Sequence, residues 1–225
     1  MPEDESVKPS IKAYLDSEDP LCEEAIISLI GYKEEDIYID YKESFDPTEE
    51  KHWHSITADC MAFANTMGGY IVFGIRDGDF SVVGLSAPAI EALVDTNMVM
   101  QKINRHVLPQ FSMLRTKSHI TEVVRPEEGH TIVVMYIPES KGKTHMFVKD
   151  VSYKYPSGDT KQLFHAGMIF IRRSATNHII SPEDFDFVIN RRIEHYKESI
   201  LDKITKVVEA PADHQMLIFD PASRA

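Results

Sequence analysis

The stretch ADCMAFANTMGGYIVFGIRDG, residues 58–78, joins a helical pattern to a strand pattern. Gly68 and Gly69 end the first pattern, and the apolar run over residues 70–76 then predicts a strand. Upstream, the apolar residues recur at helical spacing, at Trp53, Ile56, Cys60 and Phe63. A helix within residues 45–66 that leads directly into a buried strand is therefore the predicted centre of the fold.

A second strand is predicted over residues 37–42, IYIDYK. Side chains alternate along a strand, so Ile39 and Tyr41 share the face that we expect to be buried. Asp40 and Lys42 share the other face. They form either an ordinary surface ion pair or the start of an active site.

The remaining pattern predicts one α+β domain, a mixed β-sheet with flanking helices, over residues 21–209. We expect an acidic flexible arm over residues 1–20 and a C-terminal tail over residues 210–225. Further helices are predicted at 21–31, 87–104 and 181–209. Further strands are predicted at 80–85, 113–125, 130–140, 145–155 and 167–174.

Composition limits the class of protein. The 225 residues carry a net charge of -12, which argues against passive coating of nucleic acid. No apolar run is long enough to cross a membrane, and two cysteines suggest no disulfide framework, so we expect a reduced, cytoplasmic protein. Positive charge is concentrated locally, from Lys141 to Lys161 and at Arg172 and Arg173.

The acid-x-Lys pattern of Asp40 and Lys42 is typical of metal-dependent nucleases. In such sites, two or three carboxylates hold a divalent metal ion that activates water, and a lysine stabilises developing charge. Further acids are needed, and Glu35 and Asp77 are the candidates because each flanks a predicted strand. They converge if these two strands are neighbours.

The longer pattern resembles the AlbA-type domain of the Schlafen family. The resemblance rests on Asp40 and Lys42, on AFANT at residues 62–66, on the glycine pair and on GI at 74–75 and VG at 83–84. The segment MIFIRRSATNHIISPEDF resembles the closing strand and helix start of that domain. Residues 21–195 are covered.

The resemblance implies a divalent-metal-dependent endoribonuclease that cleaves structured RNA such as tRNA or rRNA. Glu35, Asp40 and Asp77 would then bind Mg²⁺ or Mn²⁺, and Lys42 would assist the reaction. Position 40 is usually Glu in the family, so the shorter Asp40 alters metal distance or affinity. Bacterial relatives often belong to defence or toxin systems, and others bear labels of ATP or DNA binding.

The RNA backbone is expected to contact Lys143, Lys154, Lys161 and one of Arg172 or Arg173. The KGKTH segment at 141–145 lacks the first glycine of a phosphate loop, which excludes a Walker-type ATP site there. The two-lobed arrangement of mammalian relatives suggests a homodimer, and a protein partner is also possible.

Two alternatives stay open. A non-catalytic nucleic-acid or nucleotide (ATP) binding module would need the basic residues and not the acids. A protein-interaction domain with a decayed site fits the negative charge. Among local features, Asn65 and Thr66 are best explained as a helix end, and His52 and His54 as surface or capping residues, because their spacing separates them on a helix.

Overall fold

The helices and strands of the computed structural model are defined for residues 10–121, 130–155 and 158–208, with side chains placed up to residue 203. The helices are α1 (Ile11–Leu15), α2 (Glu23–Tyr32), α3 (Glu50–Asn65), α4 (Ala87–Val94), α5 (Thr96–Asn104) and α6 (Pro182–Val208). The strands are β1 (Ile39–Lys42), β2 (Gly69–Phe73), β3 (Val107–Leu108), β4 (Arg115–Ile120), β5 (Thr131–Ile137), β6 (Met146–Phe147), β7 (Val151–Lys154), β8 (Thr160–Phe164), β9 (Phe170–Arg173) and β10 (Thr176–Ile179). This is the expected α+β fold.

A four-stranded mixed sheet with the order β1-β2-β5-β4 forms the centre. Strands β1 and β2 are parallel neighbours, joined through α3, and Asp40 pairs with Ile71. Strands β5 and β4 continue the sheet in antiparallel pairing. The condition for convergence of the strand-end acids, that these two strands be neighbours, is thus met.

Both faces of this sheet are covered by hydrophobic side chains. One face packs on α3, where Trp53 and Phe63 meet Ile71 and Phe73. The other packs on α1 and α2, and includes Ile39 and Tyr41 as the alternation predicts. Asp40 and Lys42 consequently point towards α3, into the covered side of the sheet.

Two short ribbons lie next to α3 and extend the domain. Strands β7 and β8 pair as an antiparallel hairpin, and β9 pairs with β10. Tyr153 contacts the start of α3 through a hydrogen bond from its hydroxyl to Glu49. On the C-terminal side of β9, Arg173 pairs with Asp184 in the first turn of α6.

Several predicted boundaries differ from the structure. Helix α1 lies in the segment predicted as a flexible arm, because Ile11 and Leu15, one turn apart, pack into the core. Asp95 divides the predicted 87–104 helix, since its side chain caps α5 by accepting from the Met98 N–H. The predicted strand 80–85 is reduced to a single bridge between Ile75 and Val82. Residues 122–129, which include the end of the predicted 113–125 strand, and the predicted 210–225 tail lie outside the described residues.

Within the described part of the chain, the helices lack the combination of length and apolar character that a membrane-crossing helix requires.

Candidate functional site

A buried ionic network joins β1, α3, β9 and β10. Lys42 Nζ lies 2.6 Å from Asp40 Oδ2 and 3.2 Å from Asp59 Oδ2. Arg172 binds the other oxygen of Asp40 at 3.0 Å and Asn177 Oδ1 at 3.2 Å. Asn177 closes the ring by donating to Asp59 Oδ1 at 2.5 Å. The acids Asp40 and Asp59 and the cations Lys42 and Arg172 thus neutralise each other. The side-chain amide of Asn177 links Arg172 to Asp59.

Arg172 is the most enclosed member of the network, with 2% of its surface exposed. Its remaining donors go to the backbone carbonyls of Asp36 and Ile39, and its guanidinium lies 4.5 Å from the centre of the Phe63 ring. These contacts supply the counter-charge and hydrogen bonds that a buried charge needs. Arg172 is therefore too buried to contact an RNA phosphate. Of the two arginines that the sequence offers for this contact, only Arg173 is exposed.

Burial and the neighbouring charges shift the pKa values of Lys42 and Asp59 in opposite directions. Burial alone would lower the pKa of Lys42, but the carboxylates of Asp59 and Asp40 outweigh it and raise that pKa. Burial raises the pKa of Asp59, and the positive charge of Lys42 opposes that rise. Lys42 is consequently a fixed cation, and not a proton donor near neutral pH.

Glu35 and Asp77 stand at the edge of the network. Glu35 is half-buried and accepts a hydrogen bond from the Tyr41 N–H at 2.9 Å. Burial raises the pKa of Glu35, the Tyr41 hydrogen bond lowers it, and the charges of Asp40 and Asp77 raise it again. Asp77 is exposed in the turn after β2. The three predicted acids therefore share one electrostatic neighbourhood.

These acids do not fit the metal site that the resemblance implies. Each oxygen of Asp40 already faces a cation, Arg172 on one side and Lys42 on the other. Among the side chains that the structure describes, which extend to residue 203, no three His, Cys, Asp or Glu are grouped so that they would hold a metal ion.

The β7–β8 hairpin carries two of the exposed basic residues that the sequence predicts, Lys154 and Lys161. Tyr153 and Lys161 are cross-strand partners and so point to the same face of the hairpin. Tyr155 shares that face by alternation, contacts Tyr153 edge-on at 5.1 Å and is 40% exposed. Lys51, at the start of α3, places its ammonium 5.8 Å from the centre of the Tyr153 ring. We call Lys51, Tyr153, Tyr155 and Lys161 the hairpin face.

A cavity of about 400 Å³ lies between α3 and the adjacent strands. It begins beside the hairpin face, since Lys51 belongs to both, and Asp59 and Asn177 of the ionic network are part of its lining. Other lining residues are His52, Ser55, Ala58, Leu163, Phe164 and Phe170. The cavity therefore connects the exposed basic surface to the buried charges.

The other predicted residues are placed apart from this region. Lys143 is exposed in the loop between β5 and β6, beside a separate depression lined by Gln110 and His145. Lys154 is exposed on the hairpin but points away from Lys161, since its cross-strand partner is Thr160. The exposed side chain of Arg173 is already paired with Asp184.

The segment from Asn65 to Thr66 has the structural role that the sequence favours. Asn65 donates to the carbonyls of His145 and Phe170 and accepts from the His145 N–H, which ties α3 to two other segments. The expectation for His54 was wrong. Its ring is buried and packs against His106, because α3 is enclosed on more than one side.

Sequence reasoning missed Asp59 and Asn177. Asp59 has a detectable signal, since it is a lone charge inside the otherwise apolar run from Ala58 to Ala64. A charge in a buried helical run needs a partner, and Lys42 is that partner. Asn177 gives no such signal, because amides are common in the turns that precede helices.

The Schlafen AlbA_2 profile matches residues 35–181, well over half of the chain. This chain belongs to the Schlafen AlbA_2 family. An uncharacterized ATP-binding protein of Ureaplasma parvum serovar 3 is 28% identical over 174 residues, which cover 74% of this chain and 45% of that protein. The chain thus spans less than half the length of that relative.

A solved structure, the DIP2311 protein from Corynebacterium diphtheriae, is also similar to this Schlafen AlbA_2 domain. The two are 13% identical, with a TM-score of 0.39, over 64% of this chain and 25% of that one. Family membership rests on the profile match.

Proposed function

We propose that this domain is an RNA-binding module whose buried acids stabilise the fold and whose hairpin face contacts the ligand. The observation that carries the proposal is the hairpin face itself, where Tyr153 and Lys161 are cross-strand partners beside Tyr155 and Lys51. Aromatic rings stack on unpaired bases, and lysines between them neutralise phosphates. Lys154 lies on the opposite face of the same hairpin.

The ionic network supports the non-catalytic form of this proposal. Asp40 and Asp59 are neutralised internally by Lys42 and Arg172, so their charge does not call for a metal ion. The surrounding protein is strongly acidic, at a net charge of -12. RNA would therefore be held at a local patch, and not over the whole surface.

Metal-dependent cleavage of structured RNA, such as tRNA, is the second candidate function. One feature favours it: burial, and to a smaller extent the charges of Asp40 and Asp77, raise the pKa of half-buried Glu35. Cleavage would make Glu35, Asp40 and Asp77 catalytic, as the family resemblance implies. A defence or toxin role, a homodimer and a protein partner remain predictions of that resemblance.

The test is RNA binding by fluorescence anisotropy, with labelled tRNA and an unstructured RNA at several salt concentrations. We expect the double variant Lys51→Gln/Lys161→Gln, which removes both lysines of the hairpin face, to weaken binding of both RNAs and to lower the salt slope by about two. Lys12→Gln is the matched control, because Lys12 is exposed on α1 at the other side of the sheet. An equal loss in Lys12→Gln, or no loss in the double variant, contradicts the proposal.

The same RNAs are then incubated with Mg²⁺ or Mn²⁺ and analysed for cleavage, with EDTA as a control. We expect intact RNA. Cleavage that requires metal and is lost in Glu35→Gln would establish the endoribonuclease instead. Glu35→Gln is preferred over Asp40→Ala for this purpose, because Glu35 is outside the ionic network and its removal leaves Arg172 paired.

A further inference from the structure

We infer that the cavity between α3 and the β8–β10 region receives the base of one nucleotide. The inference deepens the proposed function, because it names a subsite next to the hairpin face. The cavity volume of about 400 Å³ lies within the range of small-molecule sites. Its boundaries are the exposed edge of α3 and the strand residues Leu163, Phe164 and Phe170.

The lining matches the chemistry of a base. A base has two apolar faces and a polar edge, and the cavity has apolar sides and a polar part. Its apolar residues are Ala58, Leu163, Phe164 and Phe170, and the rings of Phe164 and Phe170 pack edge-on at 5.4 Å. These side chains offer contact to a flat ring.

The polar part of the lining is held in place by the ionic network. Asn177 is fixed through both ends of its amide, which binds Arg172 at 3.2 Å and Asp59 at 2.5 Å. Polar groups whose orientation is fixed in advance recognise a ligand edge at low entropic cost. The ionic network thereby gains a role as a positioning element for the cavity, in addition to its role in stability.

The entrance supplies the charge that a phosphate requires. Lys51 and His52 line the cavity from the first turn of α3, and both are at least partly exposed. Lys51 also lies over the Tyr153 ring, and Leu163 follows Lys161 two residues later on β8. An RNA strand whose bases stack on the hairpin face therefore reaches the cavity without passing over another helix or β-strand.

The ligand chemistry is that of a nucleoside phosphate, which has two sources. One is a nucleotide within an RNA strand, and the other is a free nucleotide such as ATP. The name of the Ureaplasma relative, an ATP-binding protein, makes the free nucleotide worth a separate arm of the test. No phosphate loop is needed for this binding mode, since the base supplies much of the contact area.

The test fills the cavity from its exposed edge. Ser55 lines the cavity and is exposed on α3, one turn from both Lys51 and Asp59. Ser55→Phe therefore blocks the space without altering the core, and Ser55→Ala is the matched control. Binding of an unstructured labelled RNA, of AMP and of ATP is measured for each protein, with thermal unfolding as the check on folding.

We expect Ser55→Phe to weaken binding of the unstructured RNA roughly tenfold, the loss of about one stacked base, and Ser55→Ala to bind like the wild type. Competition by AMP or ATP that is lost in Ser55→Phe would identify the free nucleotide as a ligand as well. Photo-crosslinking of RNA that contains 8-azidoadenosine provides a second measurement, with crosslinks expected on the α3 edge or on Phe164.

Equal RNA, AMP and ATP binding by Ser55→Phe and Ser55→Ala would overturn the inference. If Lys51→Gln/Lys161→Gln still weakened RNA binding in that case, the proposed function would stand without the cavity. Absence of binding to every RNA and nucleotide would overturn both. Crosslinks confined to residues outside the cavity lining would likewise place the base elsewhere.

Discussion

Adjacent arginines in β9 show how much one position in a strand changes the role of a side chain. Arg172 points into the protein and binds Asp40, Asn177 and two backbone carbonyls. Arg173 points outward and pairs with Asp184 at the start of α6. The same residue type therefore fills a structural position and a surface position within one dipeptide.

This difference predicts unequal effects on stability. Arg172→Met leaves Asp40 buried with only Lys42 as a counter-charge, and we expect a loss of about 3–5 kcal/mol in the free energy of unfolding. Arg173→Met removes a pair whose arginine is half exposed, and we expect a loss below about 1 kcal/mol. Urea unfolding of the two variants measures both. Similar losses in the two would refute the structural role of Arg172.

At the same scale, the sequence predicts part of the site. Strand alternation places Asp40 beside Lys42, and their 2.6 Å contact confirms that they are neighbours. Their partners from α3, β9 and β10 follow from tertiary packing, which no local pattern encodes. The roles of Glu35, Asp77 and the basic residues in binding or catalysis remain predictions.

The turn between α3 and β2 is the element on which the central sheet depends. Gly68 has φ +73° and Gly142 has φ +76°, so both occupy the left-handed region. Their surroundings differ. A Cβ at Gly68 would lie 2.8 Å from the backbone of Ile137 and Glu139, whereas a Cβ at Gly142 would have no neighbour within 4 Å.

Alanine at these two positions separates conformational strain from collision. Gly142→Ala is expected to cost about 1–2 kcal/mol, the strain of a left-handed residue. Gly68→Ala carries the same strain and also pushes β5 away from the turn, so we expect a clearly larger loss of stability. Thermal unfolding measures the loss of stability in both variants. Equal losses would contradict the prediction, because they would mean that β5 moves away from a Cβ at position 68 without loss of stability.

Elements whose signal is local are the ones that the sequence predicts well. The 3.6-residue pattern of α3, the glycine pair and the apolar β2 strand all fall where we expect them. Helix α1 was missed because two apolar residues, Ile11 and Leu15, are too short a pattern among acids and prolines. The division at Asp95 was missed because capping depends on where the next helix packs.

The stability of the whole domain should depend on pH through two neighbouring histidines, His54 on α3 and His106 between α5 and β3. The rings of His54 and His106 lie 5.3 Å apart. Burial, and then the neighbouring positive charge of His54, lower the pKa of His106 from 6.5 to about 4. The unfolded chain therefore binds more protons than the folded domain between these two values. This contribution to stability is complete above pH 6.5 and decreases as the pH falls towards 4.

The variant His106→Gln tests whether this histidine causes the pH dependence of stability. We expect the urea midpoint of the wild type to decrease between pH 7.5 and pH 5, and that of His106→Gln to decrease less. His178→Gln, at an exposed position, should follow the wild type. If His106→Gln shows the same pH dependence as the wild type, other groups control the acid response of the domain.

The ionic network can be completed only late in the synthesis of the chain. Its acids are at positions 40 and 59, whereas Arg172 and Asn177 come more than a hundred residues later in synthesis. A nascent chain on the ribosome thus carries Asp40, Lys42 and Asp59 with an excess negative charge until β9 and β10 emerge. Translation that stops before β9 therefore yields a fragment in which Asp40 and Asp59 share one cation, Lys42, and lack the closing contacts of Arg172 and Asn177.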